Sequence, residues 1–345
     1  MTVLITGGAG YIGSHCCVTF LEAGLDVVVL DSLVNSREES LKRVAAITGK
    51  SVSFEQGDIR DRSRIEQILK AYGVTSVVHF AGLKAVGESV ARPLDYYETN
   101  FVGTHALLRA MEACGVHKLI FSSSATVYGE PKFLPLTEEH PTGPVNPYGR
   151  SKLMVEEMLR DVAASDPKWR FAILRYFNPV GAHDSGLIGE NPLGVPNNLM
   201  PFITQVADGR RERLSVFGND YDTKDGSGVR DYIHVVDLAE GHLKAYESLH
   251  ALKSDKNCLT VNLGTGTGYS VLEMVRAFER ASNRTIPYEI APRRAGDVAE
   301  CYADTRQAES ALGWQAQKDL AAMCHDTWTW VCKNPRGYEE EGSSS

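Results

Sequence analysis

The chain of 345 residues has no apolar run near the ~20 residues needed to cross a bilayer. No membrane-spanning helix is therefore expected. It has no excess of positive charge either: 36 Lys and Arg stand against 44 Asp and Glu, a net charge of -8. That argues against a general nucleic-acid binder. An anionic small molecule stays open, because a few arginines can hold a phosphate locally. The cysteines, Cys16, Cys17, Cys114, Cys258, Cys301, Cys324 and Cys332, show no CxxC spacing and are odd in number. Neither a disulfide framework nor a metal site is expected, and reduced thiols in a cytoplasmic protein fit better. The strand-like run Val3–Ile5 at the start leaves no space for a leader peptide. Residues 339–345 are acidic and small, and are expected to be a disordered tail.

What is present is an ordinary globular composition, 43% hydrophobic and 23% charged. Short β-branched runs alternate with helical patterns through the first half. Strands are expected at Val3–Thr6, Val27–Leu30, Val52–Glu55, Ser76–Phe80, Leu119–Ser122 and Ala172–Tyr176. Helices are expected at Ser14–Ala23, Ser63–Ala71, Thr99–Ala113 and Lys152–Ala164, with Gly24 and Gly115 placed to end two of them. That order predicts an α/β fold, a doubly wound parallel sheet of the Rossmann type with helices on both faces. Gly and Pro are dense from Pro179 to Pro201, which reads as loops over a cleft. Tyr232–Leu249 reads as the approach to a helix and the helix, and Leu259–Leu263 as a strand. The expected division is a dinucleotide-binding domain at 1–175 and a smaller α/β substrate-binding lobe at 176–338. The segment 230–265 could instead rejoin the first.

The first strand runs into Gly7-Gly8-Ala9-Gly10-Tyr11-Ile12-Gly13, and a helix follows. Gly7 permits a tight turn, Gly10 lets backbone approach a pyrophosphate, and Gly13 lets helix pack on strand. The helix N-terminus offers free N–H groups and the positive dipole end. Asp31 ends the second strand, where an acid accepts from the ribose 2′-OH of NAD and repels the extra phosphate of NADP. Asp58 ends the third strand within reach of an adenine, and Phe80-Ala81-Gly82 ends the fourth beside the expected crevice. A second glycine-rich turn, Gly264-Thr265-Gly266-Thr267-Gly268, lacks the Lys-Ser/Thr ending of a phosphate loop. Ser270 and Glu273 after it form a capping-box pattern, so a structural turn is expected.

Tyr148-Gly149-Arg150-Ser151-Lys152 is a YxxxK sequence at a helix start, which puts phenol and ammonium on one face. Half-ionising a phenol near neutrality takes about 4 kcal/mol. A lysine and an oxidised nicotinamide are the expected sources. Ser124, at the end of the fifth strand, sits at the sheet edge where ligands bind and can share a substrate hydroxyl with Tyr148. Tyr128 and Lys132 repeat the spacing, but Gly129 and Pro131 make a helix there unlikely.

With these residues in place, the sequence resembles the extended short-chain dehydrogenase/reductases and, within them, the UDP-glucose (UDP-galactose) 4-epimerases. The resemblance runs from Val3 to about Tyr338. It rests on Thr6–His15, His79–Ser89, Phe121–Gly129, Arg175–Ala182, Pro196–Pro201 and Gly228–His234. It implies that Tyr148 takes the sugar 4-OH proton while the 4-hydride passes to tightly held NAD. The 4-keto sugar turns over, and the hydride returns to its other face. Ser124 would orient the proton, and Lys152 would hold the nicotinamide ribose and lower the phenol's pKa. The resemblance also implies cofactor contacts at Tyr11, Ile12, Asn35, Ser36, Ile59, Lys84, Asn100, Ser122 and Tyr176. UDP-sugar contacts are implied at Lys84, Phe177, Asn178, Asn198, Leu199, Phe217, Arg230, Arg294, Asp297 and Cys301. A homodimer built through helices on one face is implied as well. At Cys301 some family members carry tyrosine. The smaller thiol would leave room for an N-acetyl group, extending the expected substrates to UDP-GlcNAc and UDP-GalNAc.

Other readings stay open at this point. A nucleotide-sugar 4,6-dehydratase needs an acid pair just after the fifth-strand serine, and Ala125-Thr126-Val127 supplies no carboxylate. Another nucleotide-sugar 4-epimerase would differ mainly in pocket contacts. A non-catalytic NAD-sensing protein would have no need of Ser124, Tyr148 and Lys152 in register.

Overall fold

A computed structural model describes residues 1–194, 196, 198–251, 257–294 and 296–339. The tail expectation from 340 onward lies outside the described residues.

Strands are numbered along the chain. The main sheet contains β1 (Thr2–Thr6), β2 (Asp26–Asp31), β3 (Ser53–Gln56), β4 (Val74–His79), β5 (Lys118–Ser124), β6 (Arg170–Tyr176) and β10 (Cys258–Leu263). Its order is β10-β6-β5-β4-β1-β2-β3, and its neighbouring strands pair parallel. Alternate residues of β1 face opposite layers, as the two-residue strand period requires. Val3 and Ile5 join the core beneath helices Tyr11–Glu22 and Val235–His250, which pack on each other. Leu4 joins the opposite core with Val77, Leu119 and Phe121, under helices Arg62–Ala71, Gly103–Cys114 and Pro147–Ser165. Both faces are covered, so the strands are apolar on both sides. β2 and β4 flank β1, so chain direction reverses there and opens a crevice at the carboxyl edge.

The second lobe holds β7 (Asn178–Val180), β8 (Leu214–Phe217), β9 (Val229–His234), β11 (Gly268–Ser270), β12 (Tyr288–Ala291) and β13 (Glu300–Cys301). β9 is its hub, paired with β7, β11 and β13, while β8 pairs with β12. Helices Leu199–Ala207, Val271–Ser282 and Leu320–Lys333 close over a core containing Met200, Ile203, Val216, Phe278 and Met323.

The main-sheet strands and the first-half helices lie where their periodicity puts them. Gly24 and Gly115 do take left-handed φ, 82° and 72°. Three boundaries move. The helix carrying Tyr148 and Lys152 begins at Pro147, because Asn146 caps it through the Gly149 N–H at 2.8 Å. Residues Tyr97–Val102 form a π-helical turn before Gly103–Cys114. Tyr232–His234 ends a strand and does not lead in as helix; the helix begins at Val235, with the His234 ring capping the Val236 N–H at 3.1 Å. Tertiary pairing of β9 with three other strands overrides the local pattern there.

Candidate active site

β5 delivers Ser122, Ser123 and Ser124 to the carboxyl edge, and the helix from Pro147 delivers Tyr148 and, one turn on, Lys152. The Ser124 hydroxyl stands beside the Tyr148 phenol, where a hydrogen bond from it would favour the phenolate. Ser124 Oγ itself accepts from the Thr126 N–H at 3.2 Å and the Thr126 hydroxyl at 3.0 Å. With the Thr126 N–H and hydroxyl donating on that side, the Ser124 proton is free to point to Tyr148. Thr126 escaped the sequence reading, which treated it only as a non-carboxylate. Its signal was the two-residue offset from Ser124 that short side-chain turns use.

Lys152 Nζ donates to Ser122 O at 2.7 Å and lies 3.4 Å from Ser122 Oγ, with Tyr148 ring 6.0 Å away. Burial lowers the ammonium to about 8. Burial also holds the Tyr148 phenol above its ordinary value, against the Ser124 hydrogen bond. In the protein alone, desolvation outweighs that hydrogen bond. Behind the pair, Glu156 accepts from Ser123 Oγ and binds Arg175 through both carboxylate oxygens, at 3.0 and 2.7 Å. The buried fork ties β5 and β6 to the catalytic helix.

The dinucleotide side follows β1, β2 and β4. Gly7 has φ +72°, and a Cβ there would lie 2.8 Å from Ala81 N; one at Gly13 would lie 2.3 Å from Gly7 O. Gly10 is the N-cap of helix Tyr11–Glu22 and offers no side-chain cap, so the helix N–H groups keep their capacity for an anion. Asp31 accepts from Ala9 N, Leu33 N and Ser36 Oγ at 3.0, 2.9 and 2.8 Å. A carboxylate has about four acceptor sites, so one remains for a ribose hydroxyl. These features fit a dinucleotide with its diphosphate at the turn.

Other expected cofactor residues are committed to the protein. Tyr11 donates its hydroxyl to Gly181 O at 2.6 Å, bridging the lobes. Asp58 binds Arg60, and the Ile59 side chain is buried in the core. Asn100 holds Leu83 N and O at 2.7 and 3.0 Å and Ser151 Oγ at 3.0 Å, stapling the Gly82–Lys84 loop to the catalytic helix. Asn100 thus supports the loop beside the crevice, while Asp58 and Ile59 stand just past the end of β3. Phe80 packs on the His242 ring at 4.9 Å, Ala81 N binds Thr6 O, and Asn35 is exposed beside Ser36.

A cleft of about 1520 Å³ separates the lobes. Every residue expected at the UDP-sugar lines it: Lys84, Ser124, Tyr148, Phe177, Asn178, Asn198, Leu199, Phe217, Arg230, Arg294, Asp297 and Cys301. Of the cofactor group, Ile12, Lys84, Tyr148 and Tyr176 reach it. Arg294 stacks on Phe217 at 4.8 Å and binds Asp297 at 2.8 Å; Arg230 lies 3.6 Å from the same carboxylate. Lys84 lies 3.6 Å from Glu190, whose carboxylate also accepts from Asn198 at 3.0 Å. Cys301 pairs in register with Arg230, and burial pushes its thiol up to about 11. Among the described residues, no group of three or more His, Cys, Asp or Glu could hold a metal ion.

This geometry has close relatives. The chain is 57% identical over 340 residues to the UDP-glucose 4-epimerase of Bacillus subtilis, covering 98% of this chain and 99% of that one. The chain belongs to the UDP-glucose 4-epimerase family. The human enzyme of that family is 58% identical over 343 residues, covering 97% and 98% of the two chains. The solved UDP-glucose 4-epimerase of Bifidobacterium longum, in complex with NAD+ and UDP, superposes with a TM-score of 0.93 at 52% identity, covering 98% of this chain and 100% of that one. That of Stenotrophomonas maltophila, with bound NAD and formylated UDP-arabinopyranose, gives 0.95 at 50% identity over 97% and 99%. A broader family model, described as GDP-mannose 4,6 dehydratase, matches residues 4–327. Within that group the epimerase family is the one this site fits, because Ala125 and Thr126 put no carboxylate beside Ser124.

Proposed function

We propose that the chain interconverts UDP-galactose and UDP-glucose through a 4-keto intermediate, using tightly held NAD. One observation carries the reading: Thr126, Ser124 and Tyr148 form a proton-ordered array at the edge of a cleft lined by Arg230, Arg294 and Asp297. Bound NAD supplies the group that takes up the C4 hydride and gives it back. Tyr148 accepts the 4-OH proton in the first half of the cycle and returns it in the second. Ser124, oriented by Thr126, steadies the phenolate while it carries charge. Lys152, anchored on Ser122, keeps its ammonium beside the ring. Arg230 and Arg294 hold the diphosphate, their planar forks suiting two oxygens each. Phe217 and Asp297 hold the uridine, while Asn178 and Asn198 hold the sugar end. The turn at Gly7–Gly13, with Asp31, holds the dinucleotide. In this division residues 1–175, joined by helix Val235–His250 and β10, serve the cofactor, and the rest of 176–338, β9 included, serves the UDP-sugar.

The test is purified protein with UDP-galactose and no added NAD. UDP-glucose should appear. A protein that retains NAD yet converts nothing would sink this substrate assignment.

The reading extends to N-acetylated sugars, and it is supported by Cys301, a small side chain lining the cleft. Cys301→Tyr should lower kcat/KM for UDP-N-acetylglucosamine by about 10–200-fold and spare UDP-glucose. Equal retention of both overturns the extension. We further assign a homodimer and a cytoplasmic location. Exposed Val90, Leu94, Val102 and Met154 stand on helical segments that pack together, and a second copy would cover them. Leu94→Asp should shift the protein to monomer in light scattering. The cysteines are free thiols, as a reducing compartment keeps them.

A further inference from the structure

Tyr176, the last residue of β6, lines the cleft, and its hydroxyl is bonded on the side away from it to His242 Nε2. His242 is fully buried in helix Val235–His250. Its Nδ1 lies 2.7 Å from Leu238 O, one turn back. A carbonyl oxygen only accepts, so Nδ1 carries the hydrogen. In a neutral ring Nε2 is then an acceptor, and the Tyr176 hydroxyl must donate to it. Burial lowers the ring's pKa to about 4, which keeps it neutral at ordinary pH. With its proton spent on His242, the Tyr176 oxygen can only accept, and the Ser122 hydroxyl beside it is the side chain placed to donate. Ser122 Oγ can in turn only accept from Lys152 Nζ, 3.4 Å away. One carbonyl in a helix therefore sets the direction of the hydrogen bonds from Leu238 through His242 to the Tyr176 hydroxyl. The same imidazole packs on Phe80 at 4.9 Å, behind the other wall of the dinucleotide crevice.

We propose that His242 is a positioning residue of the hydride-transfer site, acting through the Tyr176 hydroxyl to hold the Tyr176 ring and the Ser122–Lys152 hydrogen bond in their working orientation. It touches neither sugar nor reacting atoms. The inference rests on the reading of Tyr148 and Lys152 given above.

The test is a double-mutant cycle on the holoenzyme with His242→Leu, His242→Gln, Tyr176→Phe and the His242→Leu/Tyr176→Phe pair. Readouts are kcat, KM and the NAD released on denaturation after gel filtration. His242→Leu should cost about tenfold in kcat, with KM for UDP-galactose changed less than twofold, and should lower NAD occupancy. His242→Gln places an amide oxygen near the lost Nε2 and should recover most of the loss. In the Tyr176→Phe background, His242→Leu should add nothing. Equal loss in Gln and Leu variants, or a fully additive double variant, overturns the proposal. Should the Leu variant fail to fold, ring 15N shifts of the unmodified protein decide, with His242→Gln used for assignment: a neutral Nδ1–H ring supports it, and an Nε2–H or charged ring overturns it. If the unmodified protein does not convert UDP-galactose, the substrate reading fails alone, and NAD occupancy and the tautomer still decide the role of His242.

Discussion

Two glycine-rich turns follow parallel strands of the same sheet, one after β1 and one after β10, and they meet opposite fates. At Gly7–Gly13 the following helix starts on Gly10 without a side-chain cap. At Gly264–Gly268 the buried Asp231 carboxylate accepts from Thr265 N, Thr265 Oγ1 and Gly266 N at 2.8, 2.7 and 3.0 Å. The helix after that turn begins with the Ser270–Glu273 capping box. The second turn's N–H groups are taken by a carboxylate of the protein, whereas in the first turn Asp31 takes only the Ala9 N–H and the helix N-terminus stays open. The YxxxK sequences divide the same way. Tyr148 faces the cleft, whereas Tyr128 is buried and donates to Asn262 Oδ1 at 2.6 Å, with Lys132 exposed. In both cases the copy assigned to ligand chemistry is the one whose hydrogen-bonding capacity the fold has not spent.

The sharpest break of this comparison is at the tyrosines. Tyr148→Phe should lower kcat by about 10²–10⁴-fold with the fold intact, because the reaction loses its proton acceptor. Tyr128→Phe should leave kcat within a few-fold and instead cost about 1–3 kcal/mol in denaturant unfolding, because Asn262 Oδ1 is orphaned. If the two variants lost activity alike, the distinction between open and spent copies would collapse.

The lysines give a smaller effect of the opposite sign. Lys152 has a folded value of about 8 against 10.5 for the free side chain. Between these values the unfolded chain binds more protons, so stability rises with pH across that window. At neutral pH the buried charge therefore destabilises the fold. Lys152→Met should be inactive yet more stable at pH 7 by on the order of 1–3 kcal/mol, after allowing for the lost bond to Ser122. That gain should fade from about pH 8 to 10.5. Lys132→Met, at an exposed site, should show no such pH-dependent gain in thermal unfolding.

The smallest change in stability should come from giving the first turn what the second already has. Gly10 has φ −74° and ψ 178°, which any residue can adopt. Gly10→Asp would cap the open helix with an internal carboxylate and stabilise it by a few tenths of a kcal/mol. The same carboxylate would repel a diphosphate, so purified variant should carry no NAD. Full NAD occupancy in that variant would show that the turn is not the phosphate site.

Much of this molecule was legible before any coordinates. Long apolar runs such as Val27–Leu30 and the periodic stretch Lys152–Ala164 mark themselves, because burial of a strand or helix face imposes a repeat on local sequence. The short pieces did not. β13 has two residues, Glu300–Cys301, and β7 three, Asn178–Val180. No period can be read over so few positions, and their pairing partner β9 lies far away in the chain.

The site divides along the same line. Residue type and spacing alone determined the glycine turn, the acid at Asp31, the Tyr148–Lys152 pair and the missing carboxylate at Ala125 and Thr126. These follow from local chemistry that a short segment carries with it. Only the tertiary structure decided which look-alike turn is filled by Asp231, that Asn100 staples a loop, that Thr126 aims the Ser124 proton, and that burial raises the Tyr148 phenol. Each depends on desolvation and on partners brought together from distant segments, and neither is written in a window of sequence.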